Sequence, residues 1–259
     1  MVDISASTSF CAREGSDQGK LVLFCTTPLW THHFIGGTGE ATAGLMGEPF
    51  SYDLRPVRAL LFDLGGVVIN LNFEGAFRLW ASRAGCDPTV IAERFTIDDS
   101  YEQHERGEIP ASRYFAALRQ TLGIDLSDED FIEGWNDVFV GPLPGMSDVL
   151  SVARRHLPLF AFTNSNPTHK SVWEHRYANE LRPFRTIFVS SDIGSRKPDP
   201  EAFRLVARRM GFAPGEVLFF DDGPGNVEGA RTAGMQGVLV RSIRDVHREL
   251  LRIGLDVAP

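Results

Sequence analysis

Five polar residues follow apolar runs in this sequence and could together handle a charged ligand. Asp63 follows ALLF, Thr163 follows PLFAF, and Asp221 and Asp222 follow VLFF. Lys197 lies a little beyond a fourth apolar run. Such runs are typical of strands buried in a parallel sheet, whose carboxyl ends form one ligand-binding edge. We therefore expect these five side chains to meet at that edge.

The residue types indicate a divalent cation. Each residue alone has an ordinary structural explanation, as a turn, a helix cap or a solvated surface group. Carboxylates packed together repel one another unless a cation lies among them, and oxygen ligands favour Mg²⁺. Carboxylates, a hydroxyl and an ammonium at one edge are therefore better explained by a magnesium site than by structure alone.

The elements that must position these residues alternate between strand and helix. This alternation predicts an α/β fold with an open, mostly parallel, Rossmann-like sheet flanked by helices. The stretch from Phe73 to Phe139 is different, because its apolar residues recur at helical spacing over about four helices without a strand. It predicts a helical cap subdomain inserted after the first strand, with Gly141–Gly145 as the return linker.

The predicted domains are an N-terminal extension over 1–56, a core over 57–72 and 142–259, and a cap over 73–141. The extension is rich in Ser, Thr and Gly, and either a strand at Leu21–Cys25 or a packed helix is compatible with it. Its Gly36–Gly39 stretch lacks the Lys-Ser/Thr of a phosphate loop. We expect no signal peptide, because no basic segment precedes Leu21.

The charge, the apolar runs and the cysteine content argue against several classes of protein. The formal net charge of −8 argues against nucleic-acid and anionic membrane partners. No apolar run approaches the roughly 20 residues of a membrane-spanning helix. Cys11, Cys25 and Cys86 lack metal-binding spacing, which argues against zinc and a disulfide scaffold and favours a cytoplasmic location.

Four motifs occur in the order seen in the haloacid dehalogenase-like (HAD) hydrolase superfamily, which the chain resembles over about residues 58–242. They are FDLGG at Phe62–Gly66, FTN at Phe162–Asn164, RKPDP at Arg196–Pro200 and FFDDGPGNVEGA at Phe219–Ala230. Within the superfamily the chain is most similar to phosphatases of α-glucose 1-phosphate, which share FDLG and a cap segment close to HERGEI, here His104–Ile109. The phosphatase domain of soluble epoxide hydrolases is a more distant likeness.

The resemblance implies a phosphoric monoester hydrolase in which Asp63 attacks phosphorus and forms an aspartyl-phosphate that water then hydrolyses. It also implies that Mg²⁺ is held by Asp63, the main-chain carbonyl of Gly65 and Asp222. Asp221 would be a neighbouring or alternative ligand.

The resemblance further implies that Thr163 and the backbone at Asn164 hydrogen-bond the phosphoryl oxygens, while Lys197 neutralises charge. The substrate would be a small phosphorylated metabolite such as a sugar phosphate, with His104 of the cap as a further substrate-binding residue.

Two positions depart from the superfamily pattern. Gly65 stands where most of its phosphatases carry an Asp that protonates the leaving oxygen, a loss of about 10²–10⁴ in rate. An anomeric sugar oxygen, which leaves readily, would offset this loss, as would a proton from His104 or Glu105. Asn226 replaces an acidic residue and predicts weaker metal binding.

Three hypotheses remain open from the sequence. The leading one is a Mg²⁺-dependent phosphatase. The second is a dehalogenase that uses Asp63 without a metal, although Asp221 and Asp222 then lack a purpose. The third is a weakly active or non-catalytic phosphate-binding regulatory protein, supported only by Gly65.

Overall fold

A computed structural model describes residues 56–256 of the chain. The predicted N-terminal extension, including the possible strand at Leu21–Cys25, lies outside the described residues apart from Pro56. None of the helices within the described range is long and apolar enough to cross a membrane.

Five parallel strands form the central sheet, in the order β5-β4-β1-β6-β7. Two further strands, β2 and β3, pair with each other in antiparallel orientation. Within residues 56–256 the strands are β1 (Ala59–Phe62), β2 (Ile69–Leu71), β3 (Phe139–Pro142), β4 (Leu159–Thr163), β5 (Thr186–Val189), β6 (Val217–Asp221) and β7 (Gln236–Leu239).

Helices flank the sheet and fill the insertion between β2 and β3. Those of the insertion are α1 (Phe73–Ala84), α2 (Pro88–Arg94), α3 (Asp99–Glu105), α4 (Ala111–Leu122) and α5 (Asp128–Asn136). The others are α6 (Met146–Ala153), α7 (Pro167–Arg176), α8 (Ala178–Leu181), α9 (Ser190–Ile193), α10 (Pro200–Met210), α11 (Pro224–Thr232) and α12 (Ile243–Arg252), with a short 3-10 helix at Pro214–Glu216.

Strand β1 lies at the centre of the sheet and is buried on both faces. Leu60 and Phe62 pack into one apolar cluster, whereas Ala59 and Leu61 pack into a second cluster on the opposite face. This alternation follows from the two-residue period of a strand. It explains why the run is apolar throughout, as expected for a strand covered by helices on both sides.

The helical insertion has an apolar core of its own. The rings of Trp80 and Trp135 stack at 5.6 Å, and the ring of Phe131 packs edge-on against Trp80 at 5.4 Å. All three side chains are fully buried. The sheet with its flanking helices and the inserted helical cap therefore confirm the predicted fold class.

The structure corrects the prediction at the end of the cap. Helix α5 ends at Asn136 rather than Phe139, and the first two residues of the predicted linker, Gly141 and Pro142, belong to strand β3. Its partner β2 is nearly 70 residues away, joined through Ile69↔Pro142 and Leu71↔Phe139. A pairing across so long a separation leaves no periodic signal nearby in the sequence. The predicted boundaries between cap and core remain a prediction.

Candidate active site at the carboxyl end of the sheet

Asp63 is held at the carboxyl end of the central strand. Its main-chain N–H donates to the Phe220 carbonyl at 2.8 Å, which continues the pairing of β1 with β6. Its carboxylate accepts from the Leu64 N–H at 2.7 Å. The residue is 8% exposed. The strand therefore brings this carboxylate into partly desolvated surroundings, where its charge requires compensation.

Lys197 supplies part of that compensation. Its Nζ lies 2.9 Å from Asp63 Oδ1 and 2.6 Å from Asp221 Oδ2, and the residue is 1% exposed. Burial alone would lower the pKa of Lys197, but the carboxylates of Asp221 and Asp63 raise it overall. The ammonium form therefore bridges the ends of β1 and β6.

Asn164 fixes the main chain of Lys197. Its side-chain Nδ2 donates to the Lys197 carbonyl at 2.9 Å, and its Oδ1 accepts from the Lys197 N–H at 2.9 Å. The sequence predicted a substrate contact through the backbone at Asn164. The sequence did not indicate the two hydrogen bonds of the Asn164 side chain, which hold the main chain of Lys197 in place.

Asp221 and Asp222 lie at the end of β6. Asp221 is fully buried, and its Oδ1 accepts from the Gly223 N–H at 2.7 Å and from Asn226 Nδ2 at 2.9 Å. Asp222 is more exposed than Asp221. Its side chain lies against Gly66, where a Cβ would be 2.1 Å from Asp222 Oδ2. Gly66 has a φ of +74°, so both its conformation and its neighbour require glycine.

The three carboxylates form a donor set suited to a hard divalent cation. One oxygen from each of Asp63, Asp221 and Asp222 lies within 4.8 Å of the others. Within residues 56–256, the single ammonium of Lys197 is shared by Asp63 and Asp221 and offsets only one of the three negative charges. A set of carboxylate oxygens with this residual charge fits Mg²⁺.

The pKa values of these carboxyl groups reflect the same crowding. Burial, opposed by Lys197 and reinforced by Asp221 and Asp222, raises the pKa of Asp63 to about 8. Burial and the charge of Asp221 raise the pKa of Asp222 to about 6. Raised values for adjacent carboxyls in a cleft are typical of sites that bind a cation or carry out chemistry.

Gly65 leaves the position two residues after Asp63 without a side chain. A Cβ at residue 65 would lie 2.6 Å from Leu71 Cδ1, so this apolar side chain occupies the space where an acid would begin. Leu71 is 39% exposed and belongs to β2. Strand β2, which the sequence did not predict, therefore contributes an apolar group beside Gly65.

His104 is buried in the cap. Its Nδ1 lies 3.3 Å from the Ile109 carbonyl, and its ring stacks on Tyr114 at 5.0 Å. Because a carbonyl only accepts, this contact places the hydrogen of the neutral ring on Nδ1. Burial lowers the pKa of His104, which favours that neutral form. His104 is thus poorly suited to donate a proton, and its binding of substrate remains a prediction.

The structure brings Asp63, Lys197, Asp221 and Asp222 into one cluster. Thr163, the last residue of β4, lies at the same edge and is 6% exposed. Sequence reasoning missed the ion pairs between Arg196 of the core and Glu102 and Glu105 of the cap. These residues lie within or beside the HERGEI and RKPDP motifs, but nothing in a single sequence links the two.

Comparison with known proteins defines the class to which this fold and site belong. Residues 57–234 match the family described as haloacid dehalogenase-like hydrolase. The chain belongs to this family and is a hydrolase.

Two relatives are named for polyol phosphates. D-ribitol-5-phosphate phosphatase of Bacteroides thetaiotaomicron is 22% identical over 200 residues, covering 75% of this chain and 97% of the relative. Hexitol phosphatase A of Escherichia coli is 26% identical over 196 residues, covering 74% and 86%.

A crystal structure supports the same grouping. A HAD family enzyme from Bacteroides thetaiotaomicron, in complex with magnesium and inorganic phosphate, superposes with a TM-score of 0.62. It is 26% identical in sequence, and the match covers 72% of this chain and 95% of that one.

Proposed function

We propose that this hydrolase is a Mg²⁺-dependent phosphatase of a small phosphorylated polyhydroxy metabolite, a sugar or polyol phosphate. The observation that carries the proposal is the cluster of Asp63, Asp221 and Asp222 oxygens within 4.8 Å, with Lys197 Nζ 2.9 Å from Asp63. Phosphoryl transfer depends mainly on positioning and charge compensation, and this cluster is suited to both.

In the proposed reaction an Asp63 carboxylate oxygen attacks phosphorus, and the bond from phosphorus to the alcohol oxygen breaks. The alcohol oxygen leaves as an alkoxide and takes a proton from solvent water, while an aspartyl-phosphate remains on Asp63. Water then attacks that phosphorus, which releases inorganic phosphate and restores the carboxylate. Lys197 compensates charge on Asp63 throughout, and the Thr163 hydroxyl donates to a phosphoryl oxygen.

Mg²⁺ would be held by Asp63, Asp222 and the Gly65 carbonyl, with Asp221 as a neighbouring or alternative ligand. When bound, it would neutralise charge on the phosphoryl oxygens. Asn226, which already donates to Asp221, keeps that carboxylate in place without adding a charge.

The absence of an acidic side chain at residue 65 favours a substrate whose leaving group needs little protonation. A good leaving group lowers the need for protonation, and the anomeric oxygen of a sugar 1-phosphate such as glucose 1-phosphate is a better leaving group than an ordinary alkoxide. The polyol phosphates named for two relatives support a polyhydroxy substrate more broadly.

Dehalogenation is the second candidate, because it also uses an aspartate nucleophile and needs no acid at position 65. The three-carboxylate cluster argues against it, since that reaction proceeds without a metal. A phosphate-binding protein without turnover is the third candidate, and Gly65 is its only support.

A panel of phosphate esters, assayed with Mg²⁺ and with a chelator, separates these candidates. We expect the wild type to release phosphate only with Mg²⁺ and Asp63→Asn to be inactive. Asp125→Asn, a change of the same type at an exposed cap position, should retain activity. Halide release from a 2-haloacid that ignores the chelator would favour the dehalogenase. Binding of esters without turnover would favour the third candidate.

A further inference from the structure

One side chain joins the cap to the loop that carries Lys197. Arg196 Nη1 lies 2.7 Å from Glu102 Oε1, and its Nε lies 3.0 Å from Glu105 Oε2. The Arg196 and Glu105 side chains are only 14% and 7% exposed. A guanidinium shared by two carboxylates in such surroundings is held in a defined orientation.

The cap side of this contact is itself firmly held. Glu102 and Glu105 both belong to α3, and the Tyr101 hydroxyl of the same helix bonds to Glu105. Just beyond the helix, Gly107 lies so close to the core that a Cβ there would be 2.6 Å from the Ser191 carbonyl oxygen. The carboxyl end of α3 therefore docks directly on the core, next to α9.

The core side of the contact leads directly to the candidate active site. Arg196 immediately precedes Lys197, whose main chain is fixed on its other side by the Asn164 amide. Lys197 Nζ in turn bonds to Asp63 and Asp221. Displacement of the Arg196 backbone would therefore move the ammonium relative to Asp63.

We propose that Arg196 is a positioning residue, which uses its ion pairs with Glu102 and Glu105 to align Lys197 when the cap is docked on the core. This inference rests on the proposed phosphatase function and adds to it. In this arrangement the position of the Lys197 ammonium beside Asp63 depends on docking of the cap. Displacement of the cap would therefore leave Lys197 less well aligned with Asp63.

Arg106 provides a matched control. It also pairs with Glu102, at 3.2 Å, and with Glu108, at 2.7 Å, but all three residues belong to the cap. Arg106→Gln thus removes the same charge from the same neighbourhood without breaking a bond between cap and core.

Steady-state kinetics with p-nitrophenyl phosphate and Mg²⁺ test the proposal. Misplacement of a group in the site by about 1 Å costs about 10²-fold in rate, so we expect Arg196→Gln to lower kcat about 10–100-fold with little change in KM. Arg106→Gln should stay within about twofold of the wild type. Arg196→Lys, which retains one charge-assisted bond, should recover part of the loss.

A double-mutant cycle separates positioning from general damage to the fold. Glu105→Gln should lower kcat in the wild type but have almost no further effect in Arg196→Gln, because the bond is already absent. Glu102→Gln, at a more exposed carboxylate, gives a second cycle if the first variants fold poorly. Fully additive losses, or equal kinetics for Arg196→Gln and Arg106→Gln, would overturn the inference alone. No phosphate release by the wild type would overturn the proposed function together with it.

Discussion

At the scale of single residues, the site depends on one buried ammonium among three carboxylates. Lys197 contacts Asp63 and Asp221, and both carboxylates are largely withdrawn from water. Desolvated charges of this kind are stable only when each has a partner. The same arrangement keeps Asp63 close to a positive charge, which suits a nucleophile that must approach an anionic phosphate.

We predict that Lys197→Met lowers kcat/KM for phosphate esters at least about 10²-fold, because the cation beside Asp63 is lost. It should also reduce the free energy of unfolding by about 3–5 kcal/mol, since Asp221 would remain buried without its partner. Kinetics and urea denaturation measure the two effects.

Lys170→Met is the control for this change, because Lys170 pairs with the exposed Asp192 at 2.7 Å. It should alter neither quantity appreciably. Wild-type kinetics in Lys197→Met would remove this lysine from the site.

The absent acid at residue 65 gives a second prediction at this scale. Gly65→Asp should raise kcat for an alkyl phosphate by about tenfold or more, because the leaving oxygen would gain a proton donor. The side chain of Leu71 is partly exposed, so it can change rotamer to make room for the aspartate side chain that this substitution introduces at residue 65. Turnover of p-nitrophenyl phosphate, whose leaving group needs no proton, should change little.

Gly66→Ala provides the contrast. Its Cβ would collide with Asp222, and its backbone has a φ of +74°, so we expect activity to fall for both substrates. An equal response of alkyl and p-nitrophenyl esters to Gly65→Asp would show that leaving-group protonation does not limit the reaction.

At the scale of elements, α7 of the core meets α5 of the cap through a buried histidine. The His169 ring stacks on Trp135 at 4.9 Å, and its Nε2–H donates to the Trp135 carbonyl at 2.8 Å. Burial, together with nearby His104, lowers the pKa of His169 to about 3, although the bond to Trp135 opposes that shift. The contact therefore requires a neutral ring.

The two pKa values of His169, in the folded and in the unfolded protein, determine how its contribution to stability changes with pH. The unfolded chain binds a proton at His169 near pH 6.5, whereas the folded protein does so only near pH 3. Its contribution to stability is complete above about pH 6.5 and is lost as the pH falls toward 3. The slope is at most about 1.4 kcal/mol per pH unit.

We predict that His169→Gln reduces the slope of the unfolding free energy against pH between about pH 6.5 and pH 4.5. The glutamine keeps an amide donor for the Trp135 carbonyl but does not titrate. Urea denaturation at a series of pH values measures the slope. His175→Gln, at an exposed position of the same helix, should leave the slope unchanged. A wild-type slope in His169→Gln would contradict the assigned neutral state.

The elements also show what sequence alone could predict. The boundaries of helices α4 and α10 are marked in the sequence, because Pro110 and Pro200 stand at their starts and Gly123 and Gly211 at their ends. The strands β1, β4, β5 and β6 were recognisable as apolar runs. Strands β2 and β3 were not, since they are short and pair only with each other across the whole cap.

The candidate site was predictable to a similar degree. Asp63 and Asp221 each terminate a recognisable strand, and parallel pairing then brings them to one edge. The contacts of Lys197 with both depend on a loop, and those of Arg196 depend on docking of the cap. Such contacts follow from packing of distant segments, which a single sequence does not reveal.

At the scale of the whole molecule, the central strand and the inserted helices have separate apolar cores, and the partly buried Phe139 packs against both. The core supplies the carboxylates and Lys197, and the cap supplies the carboxylates that hold Arg196. All of these contacts lie within residues 56–256.

The most direct measurement is rapid acid quenching of the enzyme during turnover with Mg²⁺, followed by mass spectrometry of the peptide that contains Asp63. We expect a phosphoryl group on Asp63 that forms with Mg²⁺, is absent with a chelator and is absent in Asp63→Asn. Phosphate release without any such adduct, or with the adduct on another residue, would contradict it.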